Sequence, residues 1–136
     1  FDDTSTISSL DLADARAAQE PVWRSRVDQR FGELIRLKDG WDGYGAGRID
    51  PGVLNFARFV LESVMTSQTP TPSLVPTHGG GLQLEWHFGG NDIELMIYRP
   101  FEAELSVIYH DDQPPIEEQP LTSDFSELGI ALHTVG

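Results

Sequence analysis

Leu82-Gln83-Leu84-Glu85-Trp86-His87-Phe88-Gly89-Gly90-Asn91-Asp92-Ile93-Glu94-Leu95-Met96-Ile97-Tyr98 is the stretch on which the fold turns. Apolar residues fall at every second position, first Leu82, Leu84, Trp86 and Phe88, then Ile93, Leu95 and Ile97, so one face of each strand enters a core. The other face carries Gln83, Glu85 and His87, then Glu94, Met96 and Tyr98. Gly89-Gly90-Asn91-Asp92 between them is a turn of hairpin length. The alternation returns in Leu105, Val107 and Tyr109, interleaved with Glu104, Ser106, Ile108 and His110, beyond the turn-rich Arg99-Pro100-Phe101-Glu102. Three strands therefore meander antiparallel, and Ser73-Leu74-Val75-Pro76-Thr77 adds a short edge strand, where a proline that cannot donate to a ladder is tolerated.

Upstream the period changes. Trp23, Val27, Phe31 and Leu34 recur at helical spacing behind Pro21, with Gly40 expected to stop the helix and Arg24, Arg26, Arg30, Arg36 and Lys38 on its remaining surface. Asp50-Pro51 is an N-cap followed by a good first helical residue, and Val53, Ala57, Val60, Leu61 and Val64 form a second apolar stripe that ends before Thr69-Pro70-Thr71-Pro72. The expected fold class is α+β, two helices packed on one face of a three- to four-stranded antiparallel sheet. Residues 1–20 read as a flexible N-terminal arm and residues 21–110 as the single domain. Residues 111–136 read as an acidic, proline-containing extension, with a short helix framed by Asp124 and Glu127 or a strand through Ile130-Ala131-Leu132-His133.

At 136 residues, 39% of them hydrophobic, the chain supports one core. No apolar run approaches the ~20 residues of a membrane helix. Zero cysteines exclude a disulfide framework and any thiolate metal site, and a cytoplasmic location is expected. The absence of an initial Met leaves an upstream segment open. The formal charge of −13 is unevenly spread: residues 1–58 carry eight basic groups against ten acids, and residues 59–136 carry Arg99 alone against twelve. Such a field repels nucleic acid and anionic membranes and attracts cationic partners.

Gly40-Trp41-Asp42-Gly43-Tyr44-Gly45-Ala46-Gly47 joins the two helices. Its glycines admit positive φ, and Trp41, Asp42 and Tyr44 are expected to pin the loop structurally. The loop, the helix after it, the proline break and Gly80-Gly81-Leu82-Gln83-Leu84-Glu85-Trp86 together resemble a group of small uncharacterised bacterial and phage proteins sharing a GWDGYGA … GG-x-x-LEW pattern. The likeness covers roughly residues 30 to 100. It implies a bacterial or mobile-element setting and a shared shape, and it brings no catalytic residues.

No nucleophile and base stand at a diagnostic spacing, and Asp42, Asp50, Glu85 and Glu94 form no recognisable acid–base pair. His78 before Gly79-Gly80-Gly81 lacks the lysine and helix start of a phosphate cradle. His87 and His110 fall on strands ~10 Å apart, too far to share an ion without strong curling. No catalytic residue, metal ligand or cofactor is expected. The outer sheet face is more promising: Met96, Tyr98 and Ile108 among Glu85, Glu94 and Glu104 make an apolar centre with an acidic rim. The expected function is a non-enzymatic protein-binding module, antitoxin, immunity or inhibitor-like, engaging a basic protein partner through that face. The alternatives are a metal-dependent hydrolase centred on Trp41, Asp42 and Tyr44 with His78 or His87 nearby, and an assembly protein that self-associates through its arm or tail at a sheet edge.

Overall fold

The computed structural model describes residues 22–133; the expected N-terminal arm lies outside them. Within them the chain runs α1 (Val22–Leu34), α2 (Pro51–Val64), β1 (Ser73–Pro76), β2 (Leu82–Phe88), β3 (Asn91–Arg99), β4 (Glu102–Ile108), β5 (Ile116–Leu121) and α3 (Ser126–His133). The five strands form one antiparallel sheet in the order β1-β2-β3-β4-β5.

The α+β class and the meander follow the sequence pattern; the element count does not. The sheet has five strands instead of three or four, and three helices instead of two. Both additions come from the segment expected to be an extension. β5 pairs with β4, and Leu121, Phe125, Leu128, Ala131 and Leu132 are buried in the same core as α2 and the sheet. Of the two alternatives for the tail, the helix framed by Asp124 and Glu127 forms and runs through Ile130 to His133, the residues offered as a strand; the strand that does form, Ile116–Leu121, lies in the stretch read as a solvated extension.

Local chemistry accounts for each boundary. Asp50 caps α2 by accepting from the Gly52 amide at 2.9 Å, with Pro51 in the first turn. α1 stops at Leu34, short of Gly40, because its buried stripe of Trp23, Val27, Phe31 and Leu34 ends there. Beyond it Arg36 and Leu37 donate to residues three back, the tightened turn of a helix running out. In the β2–β3 hairpin Phe88 pairs with Asn91, and Gly89 and Gly90 take φ of 63° and 80°, the paired positive values of a type I′ turn. Asn91, 2% exposed, is satisfied because its Oδ1 accepts from the His110 amide at 2.8 Å.

The helices cover one face of the sheet. Arg24 pairs with Glu62, and Arg58 with Asp28, crossing between α1 and α2, while Arg30 Nε donates to the Leu74 carbonyl of β1 at 3.1 Å. Much of the basic character of α1 is therefore spent inside the molecule.

Candidate functional site

Register places the outward side chains of the sheet in rows. Val75, Gln83, Met96, Glu104 and Pro120 lie side by side across all five strands, and the next row runs Ser73, Glu85, Glu94, Ser106. Among the described residues no helix crosses this face. Over its centre lies a hollow of about 650 Å³, whose lining includes Gln83, Glu94, Met96, Tyr98, Glu104 and Glu118.

Two breaks in the ladder frame the hollow. In β3, Ile97 pairs with Ala103 and Arg99 with Glu102, so Tyr98 is an inserted residue. In β5, Gln119 pairs with Leu105 and Ile116 with Val107, so Glu117 and Glu118 together oppose Ser106. A bulge bends a strand and re-aims its side chains. Glu118 adopts a φ of 47°, its amide donates to Ser106 Oγ at 3.2 Å, and it joins the hollow's wall opposite Glu94 and Met96. Tyr98, 45% exposed, forms the other wall and donates its hydroxyl to Glu104 at 2.5 Å.

The electrostatics are one-sided. Glu85 stands directly opposite Glu94, a like-charge cross-strand pair. Glu94 accepts from the neutral amide of Gln83 at 2.8 Å, and Glu104 from the neutral hydroxyl of Tyr98. Among the described residues, no lysine or arginine pairs with Glu94, Glu104 or Glu118; the one guanidinium at the hollow, Arg99, lies 3.8 Å from Glu102. The Tyr98 phenol is held above its ordinary range, chiefly by the Glu104 carboxylate on its hydroxyl and secondarily by desolvation.

Of the residues expected at a binding surface, Glu94, Met96, Tyr98 and Glu104 converge on this hollow. Glu85 lies on the same face but leans to His87, 3.5 Å away, and His87 in turn meets Asp92 at 2.7 Å. Ile108 lines an adjoining hollow with Ser106, Pro115, Ile116, Glu117 and Glu118. Glu118 escaped sequence reasoning because a bulge breaks period-two parity, and the acidic, proline-containing run around it shows no alternation.

The glycine loop is pinned, chiefly to the turn before β2. Gly40, Gly43 and Gly45 have φ of 80°, 79° and 77°. Asp42 Oδ1 accepts from the Tyr44 and Ala46 amides at 2.8 and 3.1 Å, and Oδ2 meets His78 Nδ1 at 2.9 Å. The His78 contact first, then these amides, hold the Asp42 carboxyl below its usual range. Gly47 donates to the His78 carbonyl and Asp50 to that of Gly80, so the loop is stitched to the turn leading into β2. Trp41 Nε1 donates to the Gly47 carbonyl at 3.1 Å. Tyr44 is 86% exposed and takes part through its backbone alone. Of the histidines named with this loop, His78 meets it from the turn before β2, and His87 is on the sheet, bound to Asp92. Among the described residues, no three histidine, aspartate or glutamate side chains converge as a metal site, and no helix is long and apolar enough to cross a membrane. Compared with known proteins, the chain matches no family model, and no curated protein or solved structure is significantly similar to it.

Proposed function

We propose that this protein is an acidic binding module that engages a basic protein partner on the outer face of its sheet, in the manner of an antitoxin, immunity protein or inhibitor. The observation that carries the reading is the hollow between the two bulges: an apolar floor at Met96, an aromatic wall at Tyr98, and Glu94, Glu104 and Glu118, of which Glu94 and Glu104 accept from neutral donors and none is paired with Arg99, the guanidinium at the margin that lies near Glu102. An apolar centre desolvates an anchor side chain, and a rim of uncompensated carboxylates steers a cation towards it. The bacterial or mobile-element setting implied by the sequence resemblance belongs to the same proposal.

Edge pairing between copies is less favoured. At one edge, β1 is four residues long, ends in Pro76, and has its Leu74 carbonyl occupied by Arg30. At the other, β5 carries Pro120 and the Glu118 bulge. These are the devices by which sheets discourage added strands.

Titration of isotope-labelled protein with poly-L-lysine, followed by amide NMR, tests the reading. Shifts should concentrate on the outward positions of β2, β3 and β4 and fade as salt rises past ~0.5 M, where the Debye length is only several ångströms. Tyr98→Ala should weaken binding by well over ~1 kcal/mol while leaving the urea midpoint nearly unchanged. Shifts confined to the helical side, or unchanged affinity in Tyr98→Ala, would overturn it.

A further inference from the structure

A further hollow adjoins the one over Met96 on this face. The second, about 520 Å³, is lined by Ser106, Ile108, Pro115, Ile116, Glu117 and Glu118. Ser106 and Glu118 belong to both, so the bond from the Glu118 amide to Ser106 Oγ is the ridge between them. The hollows differ in chemistry. The first has Glu94, Glu104 and Glu118 around a single methionine and a tyrosine, with Arg99 and His78 at its margin, whereas the second centres on Ile108, 61% exposed, and Pro115, with Glu117 and Glu118 at its edge and Ile116, the partner of buried Val107, turned to the core. Glu104 and Ile108, which mark the two, are four residues apart along β4, about 13 Å at the rise of an extended strand.

We infer that the two hollows act as one bipartite docking surface, whose occupant is a protein segment offering a lysine or arginine to the Met96 hollow and an apolar side chain to the Ile108 hollow, with Glu118 on the ridge selecting for that order. This rests on the reading of the outer face as a surface for a basic partner, and it adds the partner's pattern. Charge complementarity commits the occupant: the first hollow, with three carboxylates on its wall, favours a cation, while the second, whose surface is mainly apolar around Ile108 and Pro115, favours an apolar side chain over a second desolvated charge. Backbone geometry singles out Glu118. A non-glycine residue at positive φ is uncommon outside asparagine, aspartate and histidine, and its persistence here fixes a carboxylate between the hollows. A second copy of this chain is a poor occupant, since each copy carries a charge of −13.

Selection of a displayed random twelve-residue peptide library on the protein is the test. Enriched peptides should pair one basic with one apolar residue at a separation of about four positions if extended, or eight to nine if helical. Against such a peptide, Glu118→Gln and Ile108→Ser should each weaken binding about tenfold or more, equivalent to ~1.4 kcal/mol, with urea midpoints unchanged because both side chains are exposed. Glu118→Asn, which tolerates the left-handed backbone, should weaken it similarly and fold at least as well. Peptides enriched in basic residues alone, with affinity indifferent to Ile108→Ser, would overturn the bipartite surface and leave the basic-partner reading standing. Peptides with neither feature, or none enriched at all, count against both.

Discussion

The two faces of the sheet share one backbone and divide the work. Inward, Leu82, Leu84, Trp86, Ile93, Leu95, Ile97, Leu105 and Val107 are all 1% exposed or less beneath three helices. Outward, Gln83, Glu85, Glu94, Met96, Glu104 and Ser106 are half-buried by their neighbours alone. An antiparallel sheet with one solvated face is common, but cross-strand pairs on such a face usually oppose unlike charges. Here Glu94 faces Glu85, and the donor to Glu94 is the neutral amide of Gln83. Folding free energy thus comes mainly from the inner face, and the outer face is free to hold an arrangement of charge that stability alone would not select.

Paired substitutions one residue apart break this contrast most directly. Leu95→Ala, at 0% exposure, should cost ~2–5 kcal/mol in urea unfolding, whereas its neighbour Met96→Ala should cost under about 1 kcal/mol and weaken binding of a basic probe instead. Similar losses of stability at both positions would mean that the faces are not energetically distinct. Gly81→Ala sharpens the point because it couples them. A methyl group there would run into the Ile97 carbonyl and come within 3.1 Å of Met96 Cε and Thr77 Oγ1. Overpacking of this kind costs ~1–3 kcal/mol, and because Met96 floors the hollow, affinity should fall with stability.

That inner face was legible in the sequence because burial on one side of a strand imposes period two and burial of one helical stripe imposes spacings of three and four; Leu82 to Tyr98 and Val53 to Val64 display both. β5 was hidden by the same logic. As an edge strand with a bulge it buries Leu121 fully and Ile116 partly, leaving Glu117, Glu118 and Pro120 exposed, a composition that reads as solvated chain. α3 leaves a partial trace, since Phe125, Leu128 and Leu132 fall at helical spacing while Gly129 disfavours a helix that packing against α2 nonetheless holds. On the outer face, alternation brought out Glu94, Met96, Tyr98 and Glu104. Glu118 depends on register across a long connection, and the Asp42–His78 contact spans 36 residues, so neither leaves a local trace.

Glu94→Gln separates charge from shape on the outer face. The amide can still accept from Gln83 while relieving repulsion with Glu85, so stability should rise by ~0.2–1 kcal/mol at low ionic strength. The gain should vanish near 1 M salt, where screening removes the repulsion in the parent protein as well. Affinity for poly-L-lysine should drop in the same variant. A loss of stability would show that the carboxylate is structurally required and that this face is not strained by its charge.

The smallest effect lies at the rim, where His87 meets Asp92 and Glu85. Its imidazole is held above the ordinary 6.5, first by the hydrogen bond to Asp92, against a desolvation that works the other way, with Glu85 adding to the rise. A group whose folded value is raised stabilises the fold fully below its unfolded value, and that contribution is lost as pH climbs through the folded value. The difference in Tm between the parent protein and His87→Gln should therefore be largest below about pH 6.5 and shrink steadily above it, with exposure keeping the whole effect small. Asp92→Asn should flatten the same profile by removing the main cause of the shift. If the difference between parent and His87→Gln instead grows with rising pH, the imidazole is stabilising the fold in its neutral form, and the rim carries one negative charge more at neutral pH than the contrast between the two faces assumes.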